Sequence, residues 1–162
     1  MKRSQKGITS VEFAIVGSVF FLVLLSIIEF GRLMYTWGML SEGTRRGARV
    51  AVVCPVNHSA IANVAIFSGP DDAANSAILD GLTTANIVTE YLDANGGVLA
   101  DPVGSFRNIR YVRVRLQNYN HPLLIPYATV ALESPAFATT LPRESLGVPR
   151  VGAGPECFGT AT

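Results

Sequence analysis

The chain has 162 residues, enough for one compact domain together with an N-terminal segment of a different kind. Its 13 basic and 12 acidic residues nearly balance, which excludes the strongly basic surface typical of nucleic-acid-binding domains. Without Lys2, Arg3 and Lys6 the formal charge of +1 becomes −2, so much of the basic character belongs to the first six residues.

A long apolar run follows this basic start. Residues 8–28 contain one charged side chain, Glu12. As a helix the run is about 30 Å long, which matches the hydrocarbon thickness of a bilayer. Because a core helix of a soluble protein is not apolar on every face, we predict a transmembrane helix. The alternative, a cleaved secretory signal, would end in small residues, whereas this run continues into Glu29-Phe30-Gly31-Arg32. The segment is therefore expected to remain as an anchor.

Positive charges lie on both sides of this predicted span. Lys2, Arg3 and Lys6 favour a cytoplasmic N-terminus. Basic residues also follow the span closely, and these are Arg32, Arg45, Arg46 and Arg49. Glu29 and Glu42 stand at helical spacing to some of them and are expected to pair with them. Charge alone leaves the orientation open.

The two cysteines, Cys54 and Cys157, are too far apart for a redox CxxC motif or a zinc site. In an oxidising compartment they would form one disulfide that closes a loop of roughly 100 residues, worth about 4 kcal/mol in the chain-entropy model. The alternative is two unrelated buried thiols. A disulfide would place the C-terminal domain outside the cytoplasm.

Glu12 needs an explanation, because a carboxylate inside a membrane span costs a few kcal/mol. One interpretation is that it lies near the headgroups, within reach of Lys6, and is merely tolerated. The other is that cleavage between Gly7 and Ile8 frees an α-amino group at the membrane surface. That amine could pair with Glu12 of a neighbouring copy or partner and give register to a bundle of apolar helices.

Four fragments in this order resemble the TadE family, the pseudopilins or minor pilins of the Tad (Flp-type) branch of type IV pili. They are Lys6-Gly7, Val11-Glu12-Phe13-Ala14, Glu29-Phe30-Gly31-Arg32 and Arg46-Gly47-Ala48-Arg49. The resemblance implies that a prepilin peptidase cuts after Gly7, and that Glu12, with Phe13 beside it, serves recognition or assembly. It also implies partners among other pilins and the assembly platform of the inner membrane. Whether the protein enters the fibre, caps it or acts only in biogenesis stays open.

We divide the chain into a basic leader (1–7), a hydrophobic helix (8–53) that spans the membrane to about residue 29, and a small extracytoplasmic domain (54–162). Cys54-Pro55 should stop the helix. The glycines of this helix permit two interpretations, close approach of another helix or simple tolerance, and they are Gly31, Gly38, Gly43 and Gly47.

The remainder predicts an α+β domain with an antiparallel sheet of about three to four strands. A short helix is expected near Ile61, and a second one follows Gly69-Pro70 and ends near Gly81. Asp71 and Asp72 fit the first turn of that second helix better than a metal site. The predicted strands are 87–92, 107–117 and 127–132, with a turn at 93–97 and a short strand at 98–99. The arginines of the 107–117 region fit a solvated sheet face, or alternatively a phosphate-binding surface, and they are Arg107, Arg110, Arg113 and Arg115.

We find no motif for catalysis or for a cofactor. His58 and His121 are far apart, and the sequence contains no P-loop, no dinucleotide fingerprint and no HExxH. We therefore expect no enzyme activity, no cofactor, no metal, no nucleic acid and no small-molecule substrate. The main alternative to a pilus protein is a signal-anchored periplasmic binding module. A small membrane-anchored hydrolase is the third hypothesis, and it would need a convergent polar site.

Overall fold

The computed structural model of the protein describes residues 6–71, 75–124, 131–148 and 157. Its dominant element is a 48-residue helix, α1 (Lys6–Val53), which is about 70 Å long at 1.5 Å per residue. This helix is long and apolar enough to cross a membrane, and its most apolar stretch has no buried residue. The N-terminal part is therefore consistent with a single-pass membrane anchor.

The remaining elements form a small domain beside the C-terminal half of α1. In chain order they are α2 (Ser59–Ala65), β1 (Ile87–Leu92), β2 (Tyr111–Leu116), β3 (Asn120–Pro122), β4 (Ala131–Glu133) and β5 (Ala138–Pro142). Strands β1, β2 and β5 make an antiparallel sheet in the order β1-β2-β5, and β3 pairs with β4 in a separate two-stranded ribbon. The α+β prediction with an antiparallel sheet is confirmed.

The core lies between the sheet and the C-terminal half of α1. Strand β2 alternates in burial, and Val112, Val114 and Leu116 turn inward. They meet buried residues of α1, including Leu40 and Ala48, in two adjoining clusters. Because alternate residues of a strand face opposite sides, β2 can cover α1 while its arginines stay on the other face.

The glycines of α1 separate into two kinds. A Cβ added at Gly43 would lie 2.5 Å from the carbonyl oxygen of Ala65, and one at Gly47 would lie 2.8 Å from the Ala65 Cβ. Both positions therefore let α2 approach α1 more closely than any side chain would allow. At Gly31 and Gly38 an added Cβ would meet nothing within 4 Å. The close-approach interpretation holds for Gly43 and Gly47, and the approaching element is the chain's own helix.

The C-terminal end of α1 is held by a distant segment. The carbonyl oxygen of Val52 accepts a hydrogen bond from the Leu146 amide at 3.1 Å, and that of Val53 accepts one from the Gly147 amide. These bonds satisfy carbonyls that lack partners within the helix. The predicted disulfide joins Cys54 to Cys157 directly beyond this end, with their Cα atoms 4.4 Å apart.

The predicted second helix near Gly81 is wrong over residues 75–81, which form bends and a turn. The Ser76 hydroxyl oxygen accepts hydrogen bonds from the amides of Ile78 and Leu79, both at 3.2 Å. Such local bonds from serine compete with helical ones. The segment then buries Leu79, and Asn75 forms a β-bridge with Thr83. Residues 72–74, including Asp72, lie outside the described residues.

The strand predictions have mixed outcomes. The predicted strand 87–92 is β1, and the short helix near Ile61 is α2. The strand expected over 107–117 begins only at Tyr111, because residues 106–108 form a 3-10 turn. At 98–99 there is an isolated bridge between Leu92 and Val98 instead of a strand. Of the strand expected over 127–132, residues 127–130 lie outside the described residues, and β4 begins at Ala131.

Candidate functional site

The predicted processing site lies at the beginning of α1. The backbone is helical from Lys6, so Gly7 and Ile8 are in the first turn, and Glu12 follows Ile8 by four residues. Residues four apart on a helix share a face, which places Ile8 and Glu12 one turn from each other. The cleavage at Gly7 and the roles of Glu12 and Phe13 stay predictions.

Glu12 is the one charged residue of the apolar segment 8–28. The hydroxyls of Ser18 and Ser26 donate hydrogen bonds to the carbonyl oxygens of Ala14 and Leu22, at 2.7 and 2.8 Å. The hydrogen-bonding capacity of both donors is therefore satisfied within the helix. The Glu12 side chain is exposed, and within the described part of the chain it makes no hydrogen bond or ion pair. In a bilayer such a carboxylate is costly unless another charge compensates it.

The surface of the segment is apolar all the way round. Phe13 is 79 % exposed and Ile27 68 %, and large apolar side chains in between are exposed on every face. A soluble monomer rarely exposes a continuous apolar surface of this extent. Charged residues resume after this stretch at Glu29 and Arg32, which form an ion pair at 2.9 Å. The segment therefore has the length and the surface of a lipid-embedded or protein-covered rod.

A polar junction, formed by Glu29, Arg32, His121 and the Leu124 amide, lies at the C-terminal end of this segment. The Glu29 carboxylate accepts a hydrogen bond from the Arg32 guanidinium at 2.9 Å and another from the Leu124 amide at 3.2 Å. The Nε2 atom of His121, which is buried, lies 3.8 Å from the same carboxylate. The junction thus fastens the β3–β4 ribbon to α1 at the first charged residue after Glu12.

The arginines beyond the span are mostly paired. Glu42 contacts Arg45 and Arg46, each at 3.3 Å, which confirms the pairing expected from helical spacing. On the exposed face of the sheet, Glu90 of β1 binds Arg113 and Arg115 of β2. For Arg113 and Arg115, compensation by Glu90 favours a solvated sheet face over a phosphate-binding surface.

Two opposing effects act on Glu90. Partial burial raises the pKa of its carboxyl group, but hydrogen bonds from Arg115 and Arg113 and their positive charges lower it. The net pKa lies below the ordinary value of 4.5, so Glu90 is ionised at neutral pH. Glu90 therefore carries a negative charge between two arginines of the neighbouring strand at neutral pH.

The histidines have separate structural environments. The Nδ1 atom of His58 accepts a hydrogen bond from the Ala60 amide and caps α2, while His121 is buried at the junction with α1. Over the described residues no three His, Cys, Asp or Glu side chains are grouped as metal ligands would be. Nothing in these surroundings resembles the nucleophile and base that the hydrolase hypothesis needs.

The sequence did not indicate the junction of Glu29, His121 and Leu124. Its members are about 95 residues apart in the chain, and only the pairing of β3 with β4 brings them to α1. A local signal was present in Glu29-Arg32 at helical spacing and in His121-Pro122-Leu123-Leu124. Neither pattern specifies the other as its partner.

Comparison with known proteins adds a family match. Residues 7–49 match the family model TadE, described as TadE-like protein. The match begins at the predicted processing glycine and ends within the part of α1 that packs on the domain. It confirms the resemblance drawn from the four motifs, and it suggests a protein associated with the Tad pilus, a structural family. Neither a curated protein nor a solved structure matches the chain.

Proposed function

We propose that this chain is a pseudopilin or minor pilin of a Tad-type pilus. In this proposal a prepilin peptidase cuts after Gly7, and the mature protein stays in the inner membrane with its domain in the periplasm. The observation that carries the proposal is an exposed apolar rod whose one charged residue between positions 8 and 28, Glu12, lies five residues after a glycine that ends a basic leader. The TadE-like match over residues 7–49 supports it.

The chemistry of Glu12 explains why cleavage would matter. A carboxylate at the centre of a span costs on the order of 3 kcal/mol on insertion scales, which is an upper limit for Glu12 near the start of the span. Cleavage would create a positively charged α-amino group on Ile8, at the same level of the membrane in every copy. Pairing of this amine with Glu12 of a neighbour would remove the cost and fix one axial register. The apolar contacts of the rods alone have no such directionality.

The disulfide supports the proposed orientation. Bonds such as Cys54–Cys157 form and persist in oxidising compartments and are rare in the bacterial cytoplasm. A periplasmic domain follows, with Lys2, Arg3 and Lys6 on the cytoplasmic side. Other pilins or pseudopilins, the assembly platform and membrane lipid are then the partners of the rod and of the domain.

The experiment compares wild type with Glu12→Gln and with Glu42→Gln. Both variants remove one carboxylate charge from α1, but Glu42 lies beyond the span and is paired with arginines. The intact mass and the N-terminal sequence are measured on protein from membranes, and pili are counted. We expect wild type and Glu42→Gln to begin at Ile8 and to support pili. Glu12→Gln should lose processing or pili.

Two results would contradict the proposal. Wild-type protein that begins at Met1 would remove the processing step. Normal processing together with normal pilus numbers in Glu12→Gln would remove the role of the carboxylate. Wild-type protein that begins at Met1, together with pilus numbers that Glu12→Gln leaves unchanged, would favour the signal-anchored periplasmic binding module, which needs neither cleavage nor Glu12.

A further inference from the structure

The β3–β4 ribbon carries exposed leucines that lie beside the apolar part of α1. Leu123, Leu124 and Leu132 of the ribbon and its adjoining residues face Phe21, Leu22 and Leu25 of α1. Together they line an open apolar groove of about 690 Å³. A periplasmic domain in water would normally bury such side chains, yet Leu124 is 69 % exposed and Leu132 40 %.

The position of this groove along α1 shows whether it lies inside or outside the predicted membrane span. Leu22 precedes Glu29 by seven residues, which places it about 10 Å farther down the helix axis, toward the N-terminus. Glu29, paired with Arg32, is the first charged residue of α1 after Glu12. The groove therefore lies within the segment that has the length and composition of a membrane span, and its leucines continue the apolar surface of that segment.

Hydrogen bonding at the junction fits an apolar environment. An unsatisfied peptide amide is costly where water is scarce. The Leu124 amide donates to the Glu29 carboxylate at 3.2 Å, and Arg32 compensates the charge of that carboxylate. The ribbon thus approaches the span with this amide satisfied.

From this geometry we propose that the β3–β4 ribbon is a second membrane contact. Leu123, Leu124 and Leu132 insert into the leaflet on the domain side, and lipid acyl chains fill the groove. This inference rests on the membrane anchoring in the proposed function, but it needs neither cleavage nor a pilus. Acyl chains are favoured over a second copy of the chain because the lining is apolar, its charges are internally paired, and the bilayer supplies acyl chains at this level at any protein concentration.

The test places one fluorescent bimane label on the full-length protein in phosphatidylcholine vesicles. Leu124→Cys and, independently, Leu132→Cys provide the sites, since the native cysteines are joined to each other. Ile27→Cys, on an exposed face of the span, is the membrane control. Val103→Cys is the water control: it is 66 % exposed and near Phe106, which packs with Val52 at the far end of α1. Fluorescence is measured with doxyl-labelled lipids, with iodide, and over a series of protein-to-lipid ratios.

We expect the labels on the ribbon to lose as much fluorescence to doxyl lipids as the label at Ile27, to resist iodide, and to show no dependence on the protein-to-lipid ratio. Quenching by iodide to the extent seen at Val103 would overturn the inference, since the ribbon would then stand in water. Protection from both quenchers that grows with protein density would overturn it in favour of a second copy. If Ile27 itself escapes lipid quenching, the membrane anchor fails, and the proposed function fails with it.

Discussion

Gly43→Ala and Gly38→Ala are the same substitution on the same helix, yet we expect them to change stability in opposite directions. Both residues lie in the extramembrane half of α1. An added methyl group at Gly38 meets nothing within 4 Å, whereas at Gly43 it would lie 2.5 Å from the Ala65 carbonyl oxygen and 3.4 Å from the Phe67 ring. The oxygen belongs to the backbone of α2, so that helix has to move.

The magnitudes follow from two opposing effects. Replacement of glycine by alanine inside an exposed helix stabilises by about 0.5–1 kcal/mol, because the unfolded chain loses conformational freedom. Gly38→Ala should show this gain in full. At Gly43 the same gain is offset by overpacking, which costs about 1–3 kcal/mol in a close-packed interface. The two variants should therefore differ by about 1–3 kcal/mol in the free energy of unfolding, with Gly43→Ala below wild type.

The assay is urea unfolding of the full-length protein in detergent micelles with the disulfide intact. Trp37, the one tryptophan of the chain, packs against the core cluster of Leu40 and Leu116 and provides the fluorescence signal. Gly47→Ala repeats the test at a site where Ala65 and Val114 side chains are in the way. A midpoint for Gly43→Ala at or above that of wild type would refute the close packing of α1 against α2.

Two further predictions concern the domain. Glu90→Gln should lower the free energy of unfolding by about 1–2 kcal/mol at neutral pH, because two arginines lose a partly buried ionic partner. Since the pKa of Glu90 is depressed, this difference should be fully present above pH 4.5 and shrink as the pH falls, and a difference constant down to acid pH would contradict it. Reduction of the Cys54–Cys157 disulfide, which spans 103 residues, should cost about 4–5 kcal/mol in urea unfolding, and an unchanged midpoint would show that the bond does not constrain the unfolded chain.

The parts of the fold that the sequence predicted are those with a strong local pattern. Residues of high β propensity identified β1, alternation of apolar and polar residues identified most of β2, and a long apolar run identified the N-terminal part of α1. The prediction did not find β3 or β5. β3 has three residues, and neither strand alternates regularly in hydrophobicity, so pairing with a distant strand decides their conformation. The helix predicted around Ser76 failed because a side-chain hydroxyl formed the local bonds instead of the backbone.

The candidate site divides in the same way. Gly7 and Glu12 are five residues apart, so a motif within one helix is enough to predict their relation. The contact of Glu29 with Leu124 spans 95 residues and depends on how the ribbon packs against α1. Length, spacing and charge predict which residues enter a membrane along one helix. These sequence features do not predict which distant segment of the chain packs beside that helix at the same height along its axis.

The continuity of α1 connects these two parts of the site. Between Glu29 and Val53 the helix is fixed to the domain by the close approach at Gly43, by carbonyls bonded to a distant segment and by the disulfide at its end. Because a helix transmits rotation about its axis along its length, a neighbour that pairs with Glu12 in the proposed bundle would also set the direction in which the domain faces. A ribbon resting in the lipid would restrict the tilt of the same helix. The rigidity of α1 would then determine both the axial register of the helix in the bundle and the orientation of the domain.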